Sequence, residues 1–204
     1  MKKEGLLAIT RKKRKYSSYK GTIGKIADNH IKRDFEVTGP NQKWFTDVTE
    51  FNLKGEKLYL SPILDAYGRY VVSYNISKSP NLNQIHDMLN KAFKDNEDYK
   101  DLIFHSDQGW QYQHCSYQKI LFKNGVIQSM SRKGNSIDNG LMEGFFGILK
   151  REMFYGKEEN FKTIDELIVA IKEYINYYNN DRIKIKFNGL TPIQYRNQCL
   201  SKVV

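Results

Sequence analysis

The first sustained apolar, β-branched run of the chain is Trp44-Phe45-Thr46-Asp47-Val48-Thr49-Glu50-Phe51, which predicts a strand continuing through Leu53. Lys54-Gly55-Glu56-Lys57 reads as a glycine-containing turn. Two more apolar runs, Leu58 to Asp65 and Tyr70 to Ile76, are separated by the turn Tyr67-Gly68-Arg69 and complete an antiparallel meander. Pro62 cannot donate to a ladder, so a bulge or an unpaired position is expected there. The period then changes. Leu82, Ile85, Leu89 and Phe93 fall on one stripe and predict a helix over 81–93. A brief strand at Leu102 to Phe104, a helix at Tyr117 to Phe122 and a strand at Val126 to Met130 follow. The polar loop from Ser131 to Ser136 leads into a helix from Leu141 to Lys150. Thr163-Ile164-Asp165-Glu166 has capping-box spacing, and Leu167, Ile171, Tyr174, Ile175 and Tyr178 give the next helix its apolar face. Thr191-Pro192 opens a last short helix. Meander, helix, strand, helix, strand, helices is the order of an α/β domain with a mixed sheet and helices packed on it.

Residues 1 to about 42 break this pattern. They are basic, short of large apolar side chains and rich in Gly, Ser and Asn, and read as an arm of the core that occupies 43–200. The cluster Arg11, Lys12, Lys13, Arg14 and Lys15 is suited either to a phosphate backbone or to bulk water. The whole chain carries a formal charge of +10, which favours a polyanionic partner without specifying one. Cys115 and Cys199 are too few for a disulfide framework, and four histidines with two cysteines give no zinc-finger spacing. No run reaches the roughly 20 apolar residues of a membrane span. The basic cluster directly after a short apolar start argues against a signal peptide, so a cytoplasmic, nucleoid-associated protein is expected.

Three acids sit where different local structures deliver them. Asp47 lies within a strand, Asp107 ends one and precedes Gly109, and Glu143 opens a helix, with 35 residues between the last two. Period-two alternation sets Asp47 on the face of Phe45, Thr49 and Phe51, where a carboxylate needs compensation. A salt bridge to Lys or Arg would serve Asp47, a turn role would serve Asp107 beside its glycine, and solvent would serve Glu143. If the three converge, their repulsion calls for hard cations. Mg²⁺ takes oxygen ligands, and two ions about 4 Å apart clamp both oxygens of a phosphodiester displacement. Lys150, two turns beyond Glu143, is expected to project a cation toward a phosphate backbone or into water. Arg132 and Lys133 precede that helix and have the same two options. Asp138 and Asn139 are expected to cap its start. Asp65 reads as a turn former, and Glu50 points to the opposite strand face from Asp47.

Trp44-Phe45-Thr46-Asp47-Val48-Thr49, His105-Ser106-Asp107-Gln108-Gly109 and the stretch from Asp138 to Lys150 resemble the transposases of bacterial insertion sequences that carry a retroviral-integrase-like core. Asp181-Arg182 and Gly189-Leu190-Thr191-Pro192 are similar to that family's C-terminal segment. The resemblance implies a ribonuclease-H-like mixed five-stranded sheet flanked by helices. It implies two Mg²⁺ or Mn²⁺ ions on Asp47, Asp107 and Glu143, DNA cleavage at element ends, and strand transfer by the freed 3′-hydroxyl. Lys150 matches the family's basic DNA-contacting position, and Arg182 joins the expected DNA contacts. Gly144 stands where the family usually has a small polar residue. A homo-oligomer on DNA is implied, and Met1 to Leu6 resemble the tail of a helical DNA-binding region. That region is expected to be absent or supplied by a separate helix-turn-helix protein. Two rivals share the residues: a nuclease of the same fold that only hydrolyses, and an inactive DNA-binding remnant.

Overall fold

The computed structural model describes residues 24–94 and 99–200. Six strand segments form one sheet: β1 (Lys43–Thr46), β2 (Thr49–Leu53), β3 (Glu56–Asp65), β4 (Val71–Ser77), β5 (Ile103–Ser106) and β6 (Ile127–Met130). β1 and β2 both pair antiparallel with β3 in one unbroken register, Thr46 opposite Ile63 and Thr49 opposite Leu60. They are therefore a single strand interrupted at Asp47 and Val48. The same register sets Asp47 opposite Pro62, which has no N–H to offer the ladder. Proline thus explains the interruption. The bulge itself falls one step on, between Ile63 and Leu64 where β3 meets β4. Counting β1 and β2 as one strand gives five, with β3 and β4 antiparallel on one side and β5 and β6 parallel on the other. This is the ribonuclease-H-like mixed sheet that the resemblance implied.

The hairpin between β2 and β3 is tighter than the sequence suggests. Leu53 pairs with Glu56, and the two turn residues Lys54 and Gly55 have φ of 51° and 92°. Both positive, they give the primed turn that matches the twist of the strands.

Helices cover both faces. On one side α1 (Leu82–Ala92), capped by the Asn81 side chain, and α3 (Cys115–Lys123), preceded by the single turn α2 (Trp110–Gln113), pack with Trp44, Ile63 and Phe104. On the other, α4 (Gly140–Met153) and α5 (Ile164–Asn180) pack with Phe45, Phe51, Leu58 and Leu60. The odd-numbered positions of β1 and β2 face α4 and α5, as their alternation requires. Each fully buried aromatic or aliphatic side chain contributes roughly 1.5–3 kcal/mol. α5 begins at the predicted Thr163 cap, whose hydroxyl accepts from the Glu166 N–H at 3.2 Å. The reciprocal half of the box is shifted, because Glu166 accepts from the N–H of Lys162. α6 (Pro192–Leu200) starts at the predicted proline.

Residues 24–42 are not an arm that stands off the core. Ile31 is buried, and Phe35 and Val37 pack beside it. The segment straps the outer edge of β6, where the Met130 N–H donates to the Asp28 carbonyl and the His30 N–H to Ser129 Oγ. The basic residues Arg11, Lys12, Lys13 and Arg14 lie outside the described residues. Among the described residues, no helix is long and apolar enough to cross a membrane.

Candidate active site

β1 and β5 are parallel neighbours, with Phe45 opposite His105. Two residues further on the same register brings Asp47 and Asp107 side by side, beyond the C-terminal ends of adjacent strands. Such strands lie about 4.8 Å apart. Phe45 and His105 touch, ring to ring at 5.5 Å, on the face covered by α4. Period-two geometry turns both aspartates to that face.

Neither carboxylate has a cation in hydrogen-bond contact among the described residues. Asp47 Oδ1 accepts from the adjacent Val48 N–H at 2.7 Å, and Asp107 Oδ1 from the Gly109 N–H at 2.8 Å. Burial pushes the Asp47 carboxyl up to about 8, helped by the charge of Asp107 and then of Glu143, with the Val48 N–H and the Lys150 ammonium opposing. Burial also raises Asp107, against the Gly109 hydrogen bond. The buried phenols of Tyr112 and Tyr117, in the core on the α1 and α3 side of the sheet, feel these charges. Their hydroxyls are driven far up, by burial first and then by the aspartate charges. A Cβ at Gly109 would sit 2.7 Å from Gln111 Nε2 and 2.9 Å from Asp107 Oδ1, so a larger residue there would have to displace one or both side chains.

Glu143 is exposed in the first turn of α4, near enough for its charge to act on Asp47. Among the described residues, no three of His, Cys, Asp and Glu already form a metal-binding group. The structure therefore assembles two aspartates tightly and stands the glutamate at their rim. The donor set is all carboxylate oxygen, under-compensated in charge and open on one side, which fits a hard divalent cation.

α4 is held in place differently from the expectation. Asn139 stands at its N-cap position, but its side chain makes no capping hydrogen bond, and Asp138 is engaged elsewhere. Asn139 Nδ2 donates to the Thr46 carbonyl at 3.1 Å, tying the helix start to the strand end just before Asp47. Asp138 is wholly buried and accepts from Arg132 Nε, Nη2 and backbone N–H, from Arg33 Nε and from Asn29 Nδ2, all at 3.0–3.1 Å. Its carboxyl is held well below the usual range, chiefly by the Arg132 side chain. Arg132 is thus engaged by an acid while half of its side chain meets solvent, and Lys133 beside it is exposed.

Lys150 does not project outward. It is 7% exposed, and its ammonium donates to the Glu50 carbonyl at 2.6 Å, lying 4.9 Å from the Phe51 ring centre. The expected DNA-facing cation is instead a strut from α4 to the strand that carries Asp47. Heptad spacing from Glu143 gave its side of the helix but not that β2 passes there. Arg182 is similarly engaged, bidentate on Glu152 with contacts from 2.6 to 3.1 Å. His105 escaped the sequence reading. Its ring nitrogens meet Ser129 Oγ and Ser131 Oγ at 2.8 and 3.1 Å, and burial lowers it to about 4, so it is a neutral tie between β5 and β6. Only the His105-Ser106-Asp107 neighbourhood hinted at it.

Comparison with known proteins gives the family. An integrase core domain model matches residues 37–136, and a second of the same description matches 143–200. The putative transposase InsK for insertion sequence element IS150 of Escherichia coli is 52% identical over 187 residues, covering 92% of this chain and 65% of that protein. The chain thus spans somewhat less than two thirds of that relative's length. A transposase-like protein of Haemophilus influenzae is 51% identical over 190 residues, covering 93% of this chain and 87% of that one. Among solved structures, the HTLV-2 integrase catalytic core domain in complex with magnesium superposes with a TM-score of 0.64 at 20% identity, covering 79% of this chain and 99% of that one.

Proposed function

Because the chain belongs to the insertion-sequence transposases with an integrase core domain, we propose that it cuts and joins DNA strands with the acids Asp47, Asp107 and Glu143. The carrying observation is the side-by-side, under-compensated pair of aspartates at the ends of two parallel strands. Asp47, Asp107 and Glu143 would together hold two Mg²⁺ or Mn²⁺ ions. Bound there, such ions polarise a phosphoryl oxygen and acidify an attacking hydroxyl.

The chain's own residues orient these groups. The Val48 and Gly109 N–H groups each hold one carboxylate oxygen and so fix the orientation of the two side chains. The Lys150 ammonium favours the ionised form of Asp47 and fixes the distance from α4 to β2. Asn139 ties the Glu143 helix to the strand end at Thr46. Exposed Lys133, with Arg132, offers charge to a DNA backbone beside the acids. A water oxygen attacks phosphorus at the element end, the bond to the 3′-oxygen breaks, and a 3′-hydroxyl is released. That hydroxyl then attacks a target phosphodiester, joining to its 5′-phosphate and freeing a target 3′-hydroxyl. The working form is a homo-oligomer on DNA in the cytoplasm, with element-end recognition helped by a helix-turn-helix region or protein.

The test is a labelled duplex with a pre-cut 3′-end, taken from the inverted repeats that flank the coding sequence and incubated with Mg²⁺. Joined product of greater length is expected. Shortened product without joining would favour the hydrolytic nuclease, and no product with any divalent ion would overturn the proposal.

A further inference from the structure

A second charged site lies at the far end of the sheet from the acids. Arg69 sits in the turn between β3 and β4, which adjoins the start of β1 through the Ala66 N–H to Lys43 carbonyl bond. The C-terminal end of α5 is clamped against that turn, because Asn179 donates to the Val71 carbonyl and accepts from its N–H, both at 2.9 Å. The chain then leaves α5 through Arg182 and Lys184, and folds back so that the Lys184 N–H bonds to the Leu190 carbonyl. Lys184 donates to the buried Tyr178 hydroxyl, and the charges of Arg182 and Arg69 act on the same phenol, so cations from two separate stretches of chain converge there.

Their partners do not balance them. Glu152 is the one acid in contact with the group among the described residues. It is occupied by the Arg182 fork and by the Tyr174 hydroxyl at 2.7 Å. Lys184 has no carboxylate among the described ion pairs. Its Nζ donates to the Tyr178 hydroxyl at 2.7 Å and lies 4.2 Å from that ring's centre and 5.4 Å from that of Phe187. Arg69 Nη1 is buried with no hydrogen-bond partner. Because the Tyr178 hydroxyl accepts from Lys184, its own proton is available to a ligand. The cluster therefore offers guanidinium, ammonium and phenol donors and lacks an acceptor. Its electrostatics agree. Burial, then the Arg182 and Arg69 charges, lower the Lys184 ammonium to about 7, against the pull of Glu152. More distant Glu36 and Asp65 act on Arg69 only through their charge.

We infer that Arg69, Lys184 and the Tyr178 hydroxyl form an anion site that takes a phosphate group, supplied by a DNA backbone or by a free phosphate. A tetrahedral anion with several acceptor oxygens satisfies a buried guanidinium N–H, an ammonium and a hydroxyl together. The site stands apart from the aspartate pair, so the inference does not require the strand-transfer reading to hold.

Calorimetric titration of the full chain with inorganic phosphate tests it, alongside Arg69→Gln and Lys184→Gln, with circular dichroism to confirm folding. Saturable binding to the unaltered chain is expected, with a loss of roughly tenfold or more in either variant. Lys184 is only partly buried, so its variant keeps the test decisive if loss of Arg69 disturbs the fold. Two arms separate the sources. If a random duplex displaces phosphate, and Lys184→Gln lowers the slope of log affinity against log salt by about one, the phosphate is the DNA backbone's. If phosphate binds and the duplex neither displaces it nor responds to the variant, the ligand is a free anion. The absence of saturable binding, or unchanged affinity in a folded Lys184→Gln protein, would overturn the site. Asp107→Asn should leave phosphate binding intact even where strand transfer is lost.

Discussion

Asp138 is a wholly buried carboxylate and Asp47 a partly buried one in the same domain, and the fold treats them in opposite ways. Asp138 receives two guanidinium groups, a side-chain amide and a backbone N–H, and its carboxyl is held far down. Asp47 receives one backbone N–H, has a second aspartate beside it, and is pushed up to about 8. The contrast separates an acid that holds structure from one kept ready for a ligand. Asp138 joins the residue 29–33 strap, the Arg132 loop and the start of α4 into one unit. Asp47 and Asp107 bring destabilising repulsion to the metal-free fold, of the sort that marks functional sites.

The largest expected effect breaks the contrast on the Asp47 side. Asp47→Asn should reduce strand transfer by roughly 10³-fold or more, the scale on which a principal charge-stabilising group acts. The same change should raise the urea midpoint of the metal-free protein at neutral pH, because the folded chain no longer has to hold a proton on a carboxyl beside Asp107. Loss of both activity and stability would return Asp47 to a structural role.

Asp138→Ala should do the reverse. It leaves Arg132 and Arg33 without their acid, and both reach solvent. The expected loss is about 2–3 kcal/mol by chemical denaturation, below the figure for a fully buried pair. Isolated metal affinity at the aspartates should change far less.

Lys150→Met comes next. It keeps the aliphatic stem over Phe51 but removes the ammonium from Glu50 and from the field at Asp47. Divalent-ion affinity should fall by about 10–100-fold, as for other groups that orient a metal ligand. Unchanged metal affinity with weakened DNA binding would restore the DNA-contact role that its spacing suggested.

The smallest effect is on pH dependence. Asp47 is raised from 3.8 to about 8, so the folded protein holds more protons than the unfolded chain between those values. Its contribution to stability should therefore decline as pH rises through that window, and be lost above it. The surrounding charges are Asp107, Glu143 and Lys150. Asp138, being lowered, should contribute stability above the ordinary carboxylate range and lose it as pH falls further. Denaturation midpoints from pH 4 to 9, with and without Mg²⁺, would show the neutral-side decline removed by the metal.

Much of this was legible in the sequence because local chemistry and tertiary structure agree. Period two placed Asp47 on the face that meets α4, helical spacing found α1 and the buried face of α5, and Pro62 marked the weak point of β3. Register was not legible, so neither was the reason Asp47 escapes the ladder, which is that it lies opposite Pro62. Long-range polar partners were also out of reach. Asp138 reads locally as a cap, yet its partners Arg33 and Asn29 come from more than 100 residues away. Lys150 reads as a surface lysine until β2 is known to pass its tip. Residues 24–42 read as an arm because Ile26, Ile31, Phe35 and Val37 are scattered without a period through a polar stretch, and only the place of Ile31 beside the core shows otherwise.

Mn²⁺ binding, followed by electron paramagnetic resonance on the unaltered protein and on Asp107→Asn, tests the shared metal site most directly. The unaltered chain should take up tightly held Mn²⁺ that Mg²⁺ displaces, and Asp107→Asn should lose it while remaining folded. Equal uptake by the two proteins would contradict the assignment of these aspartates as the metal-holding pair.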